Sequence, residues 1–357
     1  MKARIVIGSN YGDEGKGTVV ASYAKNSQNV LNVLTNGGAQ RGHSILTKDG
    51  SITYQHFGSG TYFGADSYYS RFFILNPMQF MVEYNALIIK PKKIYRDSHC
   101  MWSTPYDSMA NLIEEQQRSR CASCCMGIWN TIKRYRQTRT ITFDEFVHSR
   151  NPYEYLDSIK EYYERALSVP SSWEMTWNDR GLASHFIYDC QMMYKLTTAC
   201  DLYSLTLNHS YENLIFENGQ GLLLSDTGKD TPDTTPSFTG SAYAMLLLRD
   251  LPHVKEITAH YVTRPYLTRH GEGIIMSQEE RKGISSSIYE DRTNHYNPFQ
   301  GEFRYGKLDI GNLYKRIQSD AGKIPFELEV THCDEMDRTD EFRKWFDKVN
   351  CIDSPLV

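Results

Sequence analysis

The chain lacks the features that would tie it to a membrane. None of its apolar runs reaches the roughly 18 residues of a span, and mean hydropathy is −0.53. A strand reading begins within three residues of the start, which leaves no room for a signal peptide. Charge is not in excess either. Lys and Arg number 39 against 43 Asp and Glu, a net −4 over 357 residues, so no global field favours nucleic acid or an acidic bilayer. Repeats and low-complexity tracts are missing. Of eight cysteines, Cys121, Cys124 and Cys125 form a CxxCC cluster, but no second pair stands at zinc-ribbon spacing and no histidine follows close behind. The expectation is a cytoplasmic chain with reduced thiols. With no linker in view, it reads as one domain over 1–357 with a helical insertion at about 100–210.

What is present is an alternation of strands and helices. Ala3–Ile7 is a buried strand by its β-branched content, and residues 8–17, GSNYGDEGKG, form a turn behind it. A helix runs from Thr18 to Lys25, and Val30–Leu34 is a second strand. Residues 151–209 have helical spacing with a break at Pro170. Residues 213–217 return to a strand that enters a further glycine turn, NGQG, and residues 256–263 are one more strand. This pattern predicts an α/β fold: a central, mostly parallel sheet with helices on both sides and phosphate-binding glycine turns at strand ends.

The first turn departs from a P-loop, since Gly15-Lys16 is followed by Gly17 and Asn10 stands five residues before Gly15. Gly12, Gly15 and Gly17 still let backbone N–H groups approach an anion, the helix N-terminus adds partial positive charge, and Lys16 adds a full one. Asp13 is costly among phosphates unless it handles a proton or a cation. The plain alternative is a tight turn with a capping carboxylate. A second segment, NGGAQRGHS over 36–44, again follows a strand and sets His43 among glycines, as suits a general acid.

These strings resemble the adenylosuccinate synthetase family. YGDEGKG is followed by GGAQRGH, then by QHFGSG at 55–60, FENGQG at 216–221, YVTR at 261–264, RYGKLD at 304–309 and THCD at 331–334, in the family's order. The resemblance implies a ligase that joins aspartate to a purine through a 6-phosphoryl intermediate, with Mg²⁺ and as a homodimer. It makes Asp13, Lys16, His43 and Gln220 catalytic: Asp13 takes the purine N1 proton, and His43 and Lys16 face the phosphoryl group. Mg²⁺ falls to Asp13 and the Gly42 carbonyl. The nucleotide donor falls to Gly12, Glu14, Gly15, Lys16, Gly17 and Thr18, then Gly42, His43 and Ser44, with Asp334, Ser354 and Pro355 at its base. The purine monophosphate falls to Asn10, Asp13, Gln40, Ser123, Cys124 and Gln220, with Leu224 lining the base and Thr234 and Thr235 at the phosphate. Aspartate falls to Gln300, Gly301 and Arg304. In the homodimer an arginine of one subunit reaches the other's phosphate, and Arg134, Arg136 and Arg139 cluster in the matching region.

Three departures narrow the resemblance. The family's GGHNAGHT reads GGAQRGHS, its TTGRRRR loop keeps only Arg304, and His332 stands where a lysine is usual. The chain also stops soon after Asp334. This pattern resembles the phage branch, whose members use dGMP and make the precursor of 2-aminoadenine DNA. The implied substrates are then dGMP, L-aspartate and ATP or dATP. Three alternatives stay open: an IMP-dependent synthetase using GTP, a phosphotransferase or NTPase that attaches no amino acid, and an inactive binding protein.

Overall fold

A computed structural model describes residues 1–47, 50–117, 123–226, 234–271, 273–289, 291, 301–336 and 344–352. The chain opens with β1 (Lys2–Gly8), α1 (Lys16–Lys25) and β2 (Val30–Leu34), then a hairpin of β3 (His43–Thr47) and β4 (Gly50–Tyr54). Next come β5 (Asp66–Tyr69), β6 (Ile74–Leu75), α2 (Pro77–Ala86), β7 (Ile94–Arg96) and β8 (Met101–Trp102). A mainly helical stretch follows, from α3 (Pro105–Gln117) and α4 (Ile128–Gln137) to Leu202–Asn208, whose only strand among the described residues is β9 (Thr198–Ala199). The remaining strands are β10 (Asn213–Gly221), β11 (Glu256–Thr263), β12 (Tyr266–His270), β13 (Phe303–Lys307), β14 (Phe326–Thr331) and β15 (Asn350–Ile352).

Among the described residues one sheet has the order β15-β14-β11-β1-β10-β2-β5-β7-β9, and all its ladders are parallel. The alternation of β1 explains the layers. Ala3, Ile5 and Ile7 pack with Leu202, Leu205, Leu247, Leu313 and Ile317 from helices on one face, while Val6 packs with Val19 and Val20 of α1 on the other. Helices therefore cover both faces. A third cluster, which includes Trp102, Trp177 and Phe186, joins the helical stretch to residues of β2, β5 and α2 such as Leu34, Tyr69 and Phe80.

Parallel strands place all their C-terminal ends on one edge. The segments after β1, β2, β10, β11 and β14 therefore emerge together, and β1 is the middle one of these five neighbouring strands. Two sequence boundaries shift. The helix begins at Lys16 rather than Thr18. NGQG is not a free turn but the end of β10, because Gly221 pairs with Gly8 beyond an irregularity in the ladder.

Arg134 is removed from the arginines that could reach a partner. It is fully buried, with Nε 2.8 Å from Asp107 Oδ1 and Nη2 2.9 Å from Oδ2, and Tyr163 donates to the same carboxylate at 2.6 Å. This network ties α4 to α3 and to the helix Pro152–Glu164. Arg136 and Arg139 are exposed.

Candidate active site

The glycine loop is built around its own carboxylate. Glu14, buried, accepts from the N–H groups of Asn10 and Gly12, both at 2.8 Å. Lys16, also buried, donates to the Gly12 carbonyl at 2.5 Å and lies 3.3 Å from Glu14. One of the two acidic residues therefore organises the loop and neutralises its lysine. Thr331 donates to the Glu14 carbonyl at 2.6 Å, which brings the segment after β14 against the turn. Gly17 breaks the P-loop pattern for a steric reason: a Cβ there would stand 2.7 Å from the Ser44 carbonyl, so β3 crosses too closely for a hydroxyl-bearing residue.

Asp13 is the other acidic residue, and it is half-buried. Its carbonyl accepts from Arg264 Nε at 2.7 Å, but its carboxylate receives no hydrogen bond among the described residues. Burial pushes its pKa up; His270, Lys16 and Arg264 work against the rise and Glu14 adds to it. Such a carboxylate is suited to receive a proton or to hold a cation. Hard oxygen donors, the Asp13 carboxylate and the exposed Gly42 carbonyl, fit Mg²⁺ in kind. Across the turn Gly12 comes close to Gln220, whose φ of 64° is unusual for a residue with a side chain. Gln220 Oε1 is buried with no partner among the described residues.

His43 stands on a fixed base. Its Nδ1 is 2.5 Å from Glu217 Oε1, and Glu217 also accepts from Ser59 N at 3.0 Å and Ser59 Oγ at 2.9 Å. Arg41 Nη2 lies 3.1 Å from the same carboxylate oxygen and 2.9 Å from His43 Nδ1. One ring nitrogen cannot donate to Glu217 and accept from Arg41 at once. The shorter contact puts the proton on Nδ1 and leaves Nε2 an acceptor with no hydrogen bond among the described residues. Burial and Arg41 lower the His43 pKa to about 4 against the pull of Glu217. For Glu217, burial pushes upward, but Arg41, His43 and Ser59 together bring it to about 2.

These shifts make an acid-labile site. His43 with a lowered pKa contributes stability that is complete above its unfolded value of 6.5 and is lost as pH falls toward 4. Glu217 extends the loss from 4.5 toward 2. Asp13, with a raised pKa, acts in the opposite sense, so a difference measurement isolates the histidine. The thermal midpoint of His43→Asn is expected to fall less between pH 6.5 and 4 than that of the parent; equal slopes would show that the ring does not titrate this way.

The remaining sequence-derived residues lie around this centre. Asn10 donates to Thr263 and accepts from Arg316 at 2.6 Å. Gln40 has both amide heteroatoms buried without a partner among the described residues. The Thr235 N–H bonds the Leu224 carbonyl at 2.8 Å, and Leu224 packs with Tyr11 and Leu267; Thr234 is half-buried. Gly15 faces Thr331, and Thr18 is buried in α1. Ser44 bonds Thr53 within the hairpin at 2.8 Å. Ser123 donates to Asn111 and anchors its own loop, and Cys124 is partly buried beside it. That loop leads to Ile128, which meets Gly38. Arg304 donates to the carbonyls of Gly271 and Gly273, Gly301 has a φ of 73° in open space, and Asp334 is exposed. Cys121, Gln300, Ser354 and Pro355 lie outside the described residues.

Sequence reasoning missed the supports: Arg41, His270 and Arg316 as individual residues, and Glu217 and Arg264 beyond their place in a motif. Each acts through a contact more than 170 positions away in the chain or through burial, and no local spacing signals that.

A family model for adenylosuccinate synthetase matches residues 5–343. The chain belongs to the adenylosuccinate synthetase family. Its similarity to individual members is low. It is 26% identical over 283 residues to an adenylosuccinate synthetase of Syntrophotalea carbinolica, covering 75% of this chain and 63% of that one. With the Thermoplasma acidophilum synthetase it is 24% identical, over 95% of this chain and 77% of that one. The chain thus spans just under two thirds of the first relative's length. Two solved structures share the synthetase fold. Fully ligated adenylosuccinate synthetase from Plasmodium falciparum superposes with a TM-score of 0.75 at 17% identity, covering 95% of this chain and 78% of that one. The cyanophage S-2L succinoaminodeoxyadenylate synthetase (PurZ), bound to dGMP and dATP as an energy donor, gives 0.67 at 13% identity, covering 98% and 89%. No helix among the described residues is long and apolar enough to cross a membrane.

Proposed function

We propose that the protein joins L-aspartate to C6 of dGMP with ATP or dATP, giving 2-amino-2′-deoxyadenylosuccinate monophosphate, the nucleoside diphosphate and phosphate. The observation that carries the ligase reading is the pairing of an unbonded, half-buried Asp13 with a His43 whose Nδ1 is fixed by Glu217, in a chain of this family. Asp13 takes the N1 proton, so O6 gains the electron density to attack the donor's terminal phosphorus. Lys16, the N–H groups of Gly15 and Gly17, and His43 carry the charge that moves to the transferring phosphoryl group. The His43 ring, neutral without ligand, gains a proton as phosphate charge arrives, with Nδ1–H held by Glu217. The aspartate amine then attacks C6, and phosphate leaves with the C–O bond. Asp13 and the Gly42 carbonyl would hold Mg²⁺, which would supply charge neutralisation for the donor phosphates.

The choice of dGMP rests on a missing partner. In the family the first arginine of TTGRRRR bonds both aspartate and the ribose 2′-OH, and here that place falls at or near Gly301. A 2′-OH buried without its partner costs about 1–3 kcal/mol, which favours deoxyribose. The S-2L protein's bound dGMP and dATP support the same reading. Donor choice follows from His332 in the lysine's place, which removes a stem that would cover guanine. Purified protein should therefore turn over dGMP at least about tenfold faster than IMP, with GMP and dIMP between, and ATP or dATP should serve as well as GTP. Turnover of IMP with GTP alone would make the protein an ordinary adenylosuccinate synthetase, the reading its named relatives favour. We further propose that it works as a homodimer in the cytoplasm.

A further inference from the structure

Arg41 occupies the place of the alanine in the family's GGHNAGHT string, and nothing in the mechanism above uses it. It is 3% exposed, and its stem threads between Gly37 and Gly219: a Cβ on Gly219 would stand 3.2 Å from Arg41 Cγ, and one on Gly37 3.5 Å. The guanidinium lies 5.8 Å from the centre of the Phe73 ring, which His56 and Tyr69 also pack against at 5.2 and 5.1 Å. Only Nη2 has a partner among the described residues, Glu217, and it lies beside His43 Nδ1. Nε and Nη1 are buried with none among the described residues, as are His56 Nδ1 and Tyr69 Oη.

A buried arginine that replaces a methyl group has to gain more than packing, because its desolvation is expensive. The gain available here is at Glu217. That carboxylate accepts from Ser59 with both oxygens and from His43 with one, and Arg41 is the arginine or lysine that pairs with it among the described residues. We propose that Arg41 is a positioning residue for phosphoryl transfer: it clamps the Glu217 carboxylate that orients His43. The proposal rests on the ligase reading given above.

The test is a double-mutant cycle of Arg41→Met and Glu217→Gln, with Arg41→Lys as the conservative variant. Loss of sub-ångström positioning costs on the order of 10²-fold in rate. Arg41→Met should lose about that in kcat with KM for both nucleotides nearly unchanged, and Arg41→Lys should recover part of it. Arg41→Met combined with Glu217→Gln should lose no more than the worse single variant, because the pair acts as one unit. Full kcat in Arg41→Met, a loss confined to KM, or additive losses would each overturn the proposal. If Arg41→Met does not fold, Arg41→Lys against Glu217→Gln completes the cycle. A readout independent of substrate separates this from failure of the ligase reading. The strongly hydrogen-bonded Nδ1 proton of His43, observed by NMR in histidine-labelled protein, should shift or broaden in Arg41→Lys; an unmoved resonance would contradict the clamp even if the protein ligates nothing.

Discussion

Asp13→Asn is expected to lower kcat by at least ~10³ while leaving the unfolding midpoint almost unchanged. The separation follows from which atoms of Asp13 do structural work. Its backbone carbonyl is held by Arg264, and that contact survives any side-chain change. Its carboxylate bonds to nothing among the described residues, so asparagine fits without breaking a network. In the proposed mechanism the same change removes the acceptor for the purine proton and the charged oxygen for a cation. The loop keeps its shape because Glu14, not Asp13, satisfies the Asn10 and Gly12 N–H groups. Steady-state rates beside a thermal melt check this. A variant that keeps a tenth of the parent rate would remove Asp13 from the chemistry.

His43→Asn should lose about 10²–10⁴ in kcat. Asparagine can still donate to Glu217, so the buried carboxylate keeps a partner and the fold survives, but no group remains at the place of Nε2. Single-turnover measurement of nucleoside diphosphate release isolates the step. A normal rate would make His43 a support rather than a participant.

The sequence exposed the part of this site that is local. Glycines behind a strand, a lysine at a helix start and a histidine among glycines are short-range patterns, and β2 and β11 fall on the residues their hydrophobic content indicates. It could not assign work between neighbouring acids. Asp13 and Glu14 are adjacent and alike in charge, and only the folded loop separates the one that holds N–H groups from the one left open. Nor could it show why Gly17 replaces a hydroxyl residue, since the obstacle is a strand that crosses from residue 44. The Glu217 base of His43 spans 174 positions, and the pairing of Gly221 with Gly8, beyond the left-handed Gln220, makes a strand end of an apparent glycine turn. Long-range supports are written in burial and register, which spacing along the chain does not carry.

The central claim is that this site makes a carbon–nitrogen bond rather than merely hydrolysing a nucleotide. Purified protein with ¹⁵N-labelled aspartate, ATP, Mg²⁺ and dGMP, followed by mass spectrometry of the nucleotides, tests it most directly. The account predicts a purine monophosphate that carries the labelled nitrogen and the four-carbon diacid, formed in step with ADP and phosphate. ADP and phosphate released with no label on dGMP, GMP, dIMP or IMP would contradict it and leave a nucleotide hydrolase in its place.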